Sequence, residues 1–133
     1  MTTDRKTLAL EYLNAVATHQ GRKVEAMLAP DLEFRGPART ITSAAEYVEA
    51  LKRLGAIHVR NDVKRVFVDG DEVCVIYDFV TDTPAGALTT VEWLRFEGDR
   101  IRSIDLYYDR LPWQTVMAAI AERAARPATQ PTA

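Results

Sequence analysis

The stretch Val91-Glu92-Trp93-Leu94-Arg95-Phe96-Glu97-Gly98-Asp99-Arg100-Ile101-Arg102-Ser103-Ile104-Asp105-Leu106-Tyr107-Tyr108 decides the fold. Apolar and polar residues alternate on both sides of Gly98-Asp99, the pattern of two antiparallel strands joined by a tight turn. Side chains alternate across a strand, so Glu92, Leu94 and Phe96 share one face, as do Ile104, Leu106 and Tyr108. The opposite face carries Val91, Trp93, Ile101 and Tyr107. That apolar group is too large to leave wet, and a sheet-to-sheet homodimer is expected to cover it.

Upstream, β-branched and aromatic residues begin at Ile57, with turns at Asp69-Gly70-Asp71 and Pro84-Ala85-Gly86, so the run to Tyr108 reads as four antiparallel strands. In the first of them Ile57, Val59 and Val63 have one parity and Val66 and Val68 the other, which predicts a bulge that bends the sheet. Before the sheet, Thr3 is placed to cap a helix whose inward stripe is Leu8, Tyr12, Ala15, Val16 and His19. Gln20-Gly21 breaks it. A short second helix through Val24, Met27 and Leu28 ends at Pro30, ahead of an extended piece from Asp31 to Pro37. Ser43 and Glu46 form a capping box for a third helix with the stripe Tyr47, Val48, Leu51 and Leu54. Pro112, Trp113, Val116, Met117 and Ile120 indicate a closing helix. Residues 1–125 read as one domain and 126–133, with two prolines and no large apolar residue, as a disordered tail.

The 133 residues are 47% hydrophobic and 27% charged, enough for one core and no second. A net charge of -2, with no basic cluster interleaved with aromatics, argues against a nucleic-acid partner. No apolar run reaches membrane-spanning length and no secretory signal is legible, so a cytoplasmic location is expected, with no membrane partner. Cys74 stands alone, and with His19 and His58 it supplies no soft-ligand cluster; no metal is expected.

The order of elements, together with Asp69-Gly70-Asp71 before a strand, Leu94-Arg95-Phe96 before a turn, and Gly98-Asp99-Arg100-Ile101 leading to Tyr107-Tyr108-Asp109, resembles the nuclear-transport-factor-2-like superfamily, in its SnoaL-like and ketosteroid isomerase-like bacterial branch. The resemblance covers nearly all of the chain before the tail. It implies an α+β fold, a cone-shaped curved antiparallel sheet wrapped on N-terminal helices (a cystatin-like α+β barrel). It further implies a pocket for an apolar small molecule, cofactor-independent isomerase, cyclase or lyase chemistry, and a homodimer through the outer sheet face.

Set beside ketosteroid isomerase, Tyr12 falls where that family's oxyanion-hole tyrosine stands, and Glu92 on its protonated aspartic acid. A carboxyl in an apolar site loses hydration of its charged form, stays neutral and donates a hydrogen bond. Tyr12 and Glu92 could therefore stabilise an enolate or hold a phenolate. The plainer readings are that the two bond to each other, or that Glu92 pairs with an arginine. The isomerase's base falls on Gly36, which has no proton-accepting side chain, and Arg35 beside it stays protonated. The limonene-epoxide hydrolase triad falls on Val80, Asp82 and Leu106, so one of three survives and hydrolysis by that route is ruled out.

The SnoaL-like cyclases place an acid/base aspartate near Leu106. This chain offers Asp105, which lies one residue earlier and faces the pocket only if a bulge intervenes; otherwise it is a solvated or interface charge. Phe34, Val75, Tyr77, Leu94, Leu106 and Tyr108 are the expected substrate-binding wall, and core packing is the simplest role for most of them. Asp78 could face Asp105 or Arg60 across the sheet. His19, His58 and Cys74 have ordinary structural explanations. A non-catalytic binding protein for an aromatic or phenolic ligand is the second functional reading, and a peptide-binding module the third.

Overall fold

Asp4 opens the first helix, its carboxylate accepting from the Lys6 backbone N–H at 3.3 Å, in a computed structural model that describes residues 4–126. The expected cap Thr3 and the expected tail beyond Arg126 lie outside the described residues. Helix α1 (Arg5–Ala17) is followed by α2 (Gly21–Ala26), β1 (Leu28–Arg35), β2 (Thr40–Ile41) and α3 (Ala44–Leu54). Then come β3 (His58–Asp69), β4 (Glu72–Thr81), β5 (Ala87–Glu97), β6 (Arg100–Tyr108) and α4 (Arg110–Ala125). Among the described residues no helix is long and apolar enough to cross a membrane.

The strands form one sheet in the order β2-β1-β6-β5-β4-β3. The four long strands are an antiparallel meander, as their alternation predicts. Strand β1 departs from that pattern and runs parallel to β6. It also begins at Leu28, inside the segment expected to finish the second helix. Pro30 lies where pairing to β6 is interrupted between Leu28 and Glu33, and a residue with no N–H costs no ladder bond there. The predicted bulge in β3 is present, with register shifts at His58/Arg60 and Val63/Arg65. Each inserts a residue and bends the strand, curving the sheet toward the helices. Gly70 and Gly98 supply the positive φ of 60° and 63° that the two tightest hairpins require.

Ser43 caps α3 by accepting from the Glu46 N–H at 3.1 Å, and Tyr47 and Val48 on that helix are buried. The core lies between the concave sheet face and α1 to α3, around Tyr12, Leu32, Val73, Val75, Leu94 and Ile104. Helix α4 contributes one fully buried residue, Val116. It is held at its far end by Arg123, which reaches Asp82 at 2.8 Å.

On the convex face, Ile101 is a correction. The register shift between Arg95 and Phe96 pairs it with Phe96 and turns it inward, where it is fully buried. Phe67, opposite Cys74, takes an outward place beside Ile76, Val91, Trp93 and Tyr107, and Phe67 and Tyr107 are each more than half exposed.

Candidate functional site

The inward stripe of α1 brings Tyr12 over the sheet, where the parity of β5 aims Glu92 at it. The Tyr12 hydroxyl donates to Glu92 Oε1 at 3.2 Å. Two further tyrosines complete the group. Tyr77, on β4, donates to Glu92 Oε2 at 2.8 Å, and Tyr47, on α3, shares a 2.5 Å hydrogen bond with Tyr12. The result is a chain Tyr47–Tyr12–Glu92–Tyr77 built from four separate elements, with Glu92 only 2% exposed.

Among the described residues no cation pairs with Glu92, so nothing offsets the lost hydration of its charged form. Burial pushes its carboxyl up to about 7, against the two phenol hydrogen bonds, which favour the anion. All three phenols are raised well above their ordinary value, chiefly by burial and next by the negative charge of Glu92. The arginine alternative for Glu92 is therefore not what the fold builds, whereas the direct Tyr12–Glu92 bond is.

The group opens on a cavity of about 210 Å³. Tyr12, Phe34, Tyr77, Glu92, Leu106 and Tyr108 all line it. Val75 and Leu94 share the inward parity but are sealed at 0% exposure, and core packing is their role. Asp105 is a second correction. No bulge intervenes at its position, so it stays on the convex face, opposite Trp93. There it accepts from Arg35 Nε at 2.9 Å and from Arg95 Nη1 at 3.2 Å, and it does not line the cavity. Asp78 likewise meets neither Asp105 nor Arg60; it pairs with Lys64 and accepts from the Thr89 hydroxyl.

Tyr47 and His58 are the functional groups hardest to find in the sequence. Tyr47 reads there as one more apolar position of a helical stripe. His58 reads as an exposed strand start, yet it is 5% exposed, lines the cavity and stacks on Phe79 at 3.8 Å. The Asn61 amide donates to the Leu13 carbonyl, which turns its oxygen toward His58 Nε2 at 2.7 Å. That ring nitrogen therefore carries the proton. Burial lowers the imidazole from its ordinary value, and the Asn61 bond opposes the shift. Trp113 of α4 closes the wall against Phe79 and Tyr108, and among the described residues its Nε1 is the one buried side-chain nitrogen or oxygen without a partner. A second cleft of about 230 Å³ between α1, α2 and α3 has mainly apolar walls, with His19, Gln20 and Lys52 among them and no carboxyl. Among the described residues no three His, Cys, Asp or Glu side chains gather as a metal site would require.

A concave sheet closed by helices over a cavity with one carboxyl in its wall defines a class, the curved-sheet α+β proteins with an internal pocket. Within it the family is specific: residues 9–104 match the SnoaL-like domain, and the chain belongs to that family. Among solved structures, an NTF2-like protein of unknown function from Cytophaga hutchinsonii is similar at 21% identity and TM-score 0.74, over 86% of this chain and 97% of that one. A steroid delta-isomerase from Pseudomonas aeruginosa is similar at 18% identity and TM-score 0.72, over 91% of each chain. A de novo designed protein with a curved β-sheet is equally close in shape, at 18% identity and TM-score 0.73 over 90% of this chain and 95% of that one. At such identities the likeness establishes the fold alone, as the designed protein makes plain. Among curated proteins none matches the chain.

Proposed function

We propose that this protein binds a small, apolar, carbonyl-containing molecule and polarises its carbonyl through the Glu92 hydrogen-bond chain, as an isomerase, cyclase or lyase acting without a cofactor would. The observation that carries this reading is Glu92 itself, a carboxyl with no cationic partner among the described residues, buried among three phenols at the wall of an apolar cavity. Such an acid keeps its proton at pH values where an ordinary glutamate has lost it, and in that form it can donate. Donors placed where negative charge develops are the largest single contribution to many enolate-forming reactions.

A second reading, a non-catalytic holder of an aromatic or phenolic ligand, is favoured by one observation. Gly36 offers no base beside the cavity residue Phe34, so a bound carbonyl compound would be polarised with no carboxylate at that position to remove its proton. In either case the exposed Phe67 and Tyr107, with Trp93 between them, support association of two copies through the convex face.

The experiment is a melting-temperature titration with α-tetralone and with phenol, for the unaltered protein and for the Tyr12→Phe, Glu92→Gln double variant. The carbonyl reading expects α-tetralone, and the holder reading phenol, to raise the melting temperature of the unaltered protein and to fail with the variant. Equal shifts in the two proteins would remove this site from consideration. Deuterium exchange at the ketone's α-carbon then separates enzyme from holder.

A further inference from the structure

The hydroxyl chain can be counted. It has three contacts: Tyr47 with Tyr12, Tyr12 with Glu92 Oε1, and Tyr77 with Glu92 Oε2. Each contact consumes one O–H. With Glu92 ionised, three phenols supply three O–H groups and none is left over. With Glu92 protonated there are four, and one is free to point outward.

The position of that free donor also follows from the chain. Tyr12 has a hydroxyl neighbour on one side and a carboxyl on the other and is 1% exposed; each oxygen of Glu92 already holds a phenol. Tyr47 and Tyr77 are the ends, each with one hydroxyl contact and each lining the cavity. A proton on Oε2 given to Tyr77 releases that phenol's own O–H. A proton on Oε1 given to Tyr12 turns Tyr12 toward Tyr47 and releases the O–H there.

We propose that Tyr47 and Tyr77 are the groups that touch the ligand, that Tyr12 and Glu92 act through them, and that the site accepts a neutral molecule presenting one acceptor and no donor, a ketone-type carbonyl, taken up together with one proton. This rests on the carbonyl reading above and adds to it a count and a pH dependence. The neighbours leave Glu92 as the switch. Around it stand Tyr12 from α1, Tyr47 from α3, Val75 and Tyr77 from β4, Thr90 on its own strand and Leu106 from β6, with no charged group among them. Of the cavity's other polar groups, the Trp113 indole N–H in the wall has no partner among the described residues and does not titrate, and it stands outside the hydroxyl chain. The Thr90 hydroxyl donates to the Leu88 carbonyl and His58 pairs with Asn61. Arg39 pairs with Glu46, and it and Arg53 are wall residues outside the chain. Burial sets the switch near neutrality, within reach of experiment.

The test uses two compounds of one skeleton, α-tetralone, which only accepts, and 1-aminotetralin, whose ammonium only donates. Calorimetric titration of the full chain is expected to show α-tetralone binding weakened about 30-fold between pH 6 and pH 8.5, with one proton taken up per ligand at the higher pH. Tyr47→Phe and Tyr77→Phe are each expected to weaken α-tetralone binding about fivefold at pH 6 while preserving the fold. Glu92→Gln, whose amide donates at every pH, is expected to abolish the pH dependence; should that variant fail to fold, the two tyrosine variants still decide. Ketone affinity equal at both pH values, or 1-aminotetralin preferred and gaining as pH rises, overturns the proposal while leaving a small-molecule pocket in place. Failure of both compounds to bind at any pH overturns the pocket reading and this inference with it.

Discussion

Tyr77 and Glu92, on adjacent strands with their hydroxyl and carboxyl oxygens 2.8 Å apart, make Glu92 a doubly held acid, because Tyr12 grips its other oxygen. Neither phenol carries a charge, so the carboxyl is tethered without being neutralised. It stays a titrating group in a site from which most glutamates would be excluded.

Stability should therefore record Glu92. Its folded-state value of about 7 lies above the ordinary 4.5, so the native state holds the proton more tightly than the unfolded chain does. Stability from this group is complete below about 4.5 and is lost as pH rises through about 7, a change on the order of 3 kcal/mol. His58 works in the opposite sense, since its lowered value costs stability as pH falls below the ordinary imidazole range. Denaturant titrations across pH should show Glu92→Gln flattening the alkaline decline and leaving the acid side unchanged.

Tyr12→Phe removes the middle of the chain, leaving Tyr47 without its partner and Glu92 with Tyr77 alone. A loss of about 1–3 kcal/mol is expected from the buried hydroxyls so orphaned. The urea midpoint should fall with the slope unchanged.

Asp105→Asn should separate the two sheet faces. The carboxylate anchors Arg35 and Arg95 on the convex side, and Arg35 is half exposed, so only a small fall in the urea midpoint is expected. Affinity for α-tetralone should not change, since Asp105 does not line the cavity. Weakened ketone binding in this variant would return Asp105 to the site.

Much of this was legible in the sequence, and the parts that were not share a cause. Period-two and helical spacing fix which way Tyr12, Glu92, Leu106 and Tyr108 point, because each depends only on its own element. Tyr47 becomes a member of the chain by meeting a residue 35 positions away, and no local pattern encodes that meeting. Asp105 keeps its outward parity, as an unbulged strand requires, and its arginine partners come from β1 and β5. Ile101 turns inward because of a register shift at a turn, which spacing alone does not show.

Gly36→Asp tests whether a base is all that a holder lacks. A Cβ at Gly36 would stand 3.2 Å from the tip of the Phe34 ring, which must yield by a few tenths of an ångström. With the carboxylate in place, deuterium exchange at the α-carbon of α-tetralone should rise about 100-fold over the unaltered protein, the usual contribution of a positioned base. No gain, with binding intact, would mean that the bound ketone lies out of reach of this position.

Ionisation of Glu92, followed by carbon-13 NMR of its side-chain carboxyl across pH, tests the central claim most directly. The account predicts a midpoint near about 7, moved to higher pH when α-tetralone is bound. A midpoint in the ordinary glutamate range, about 4.3, unmoved by the ketone, would contradict it.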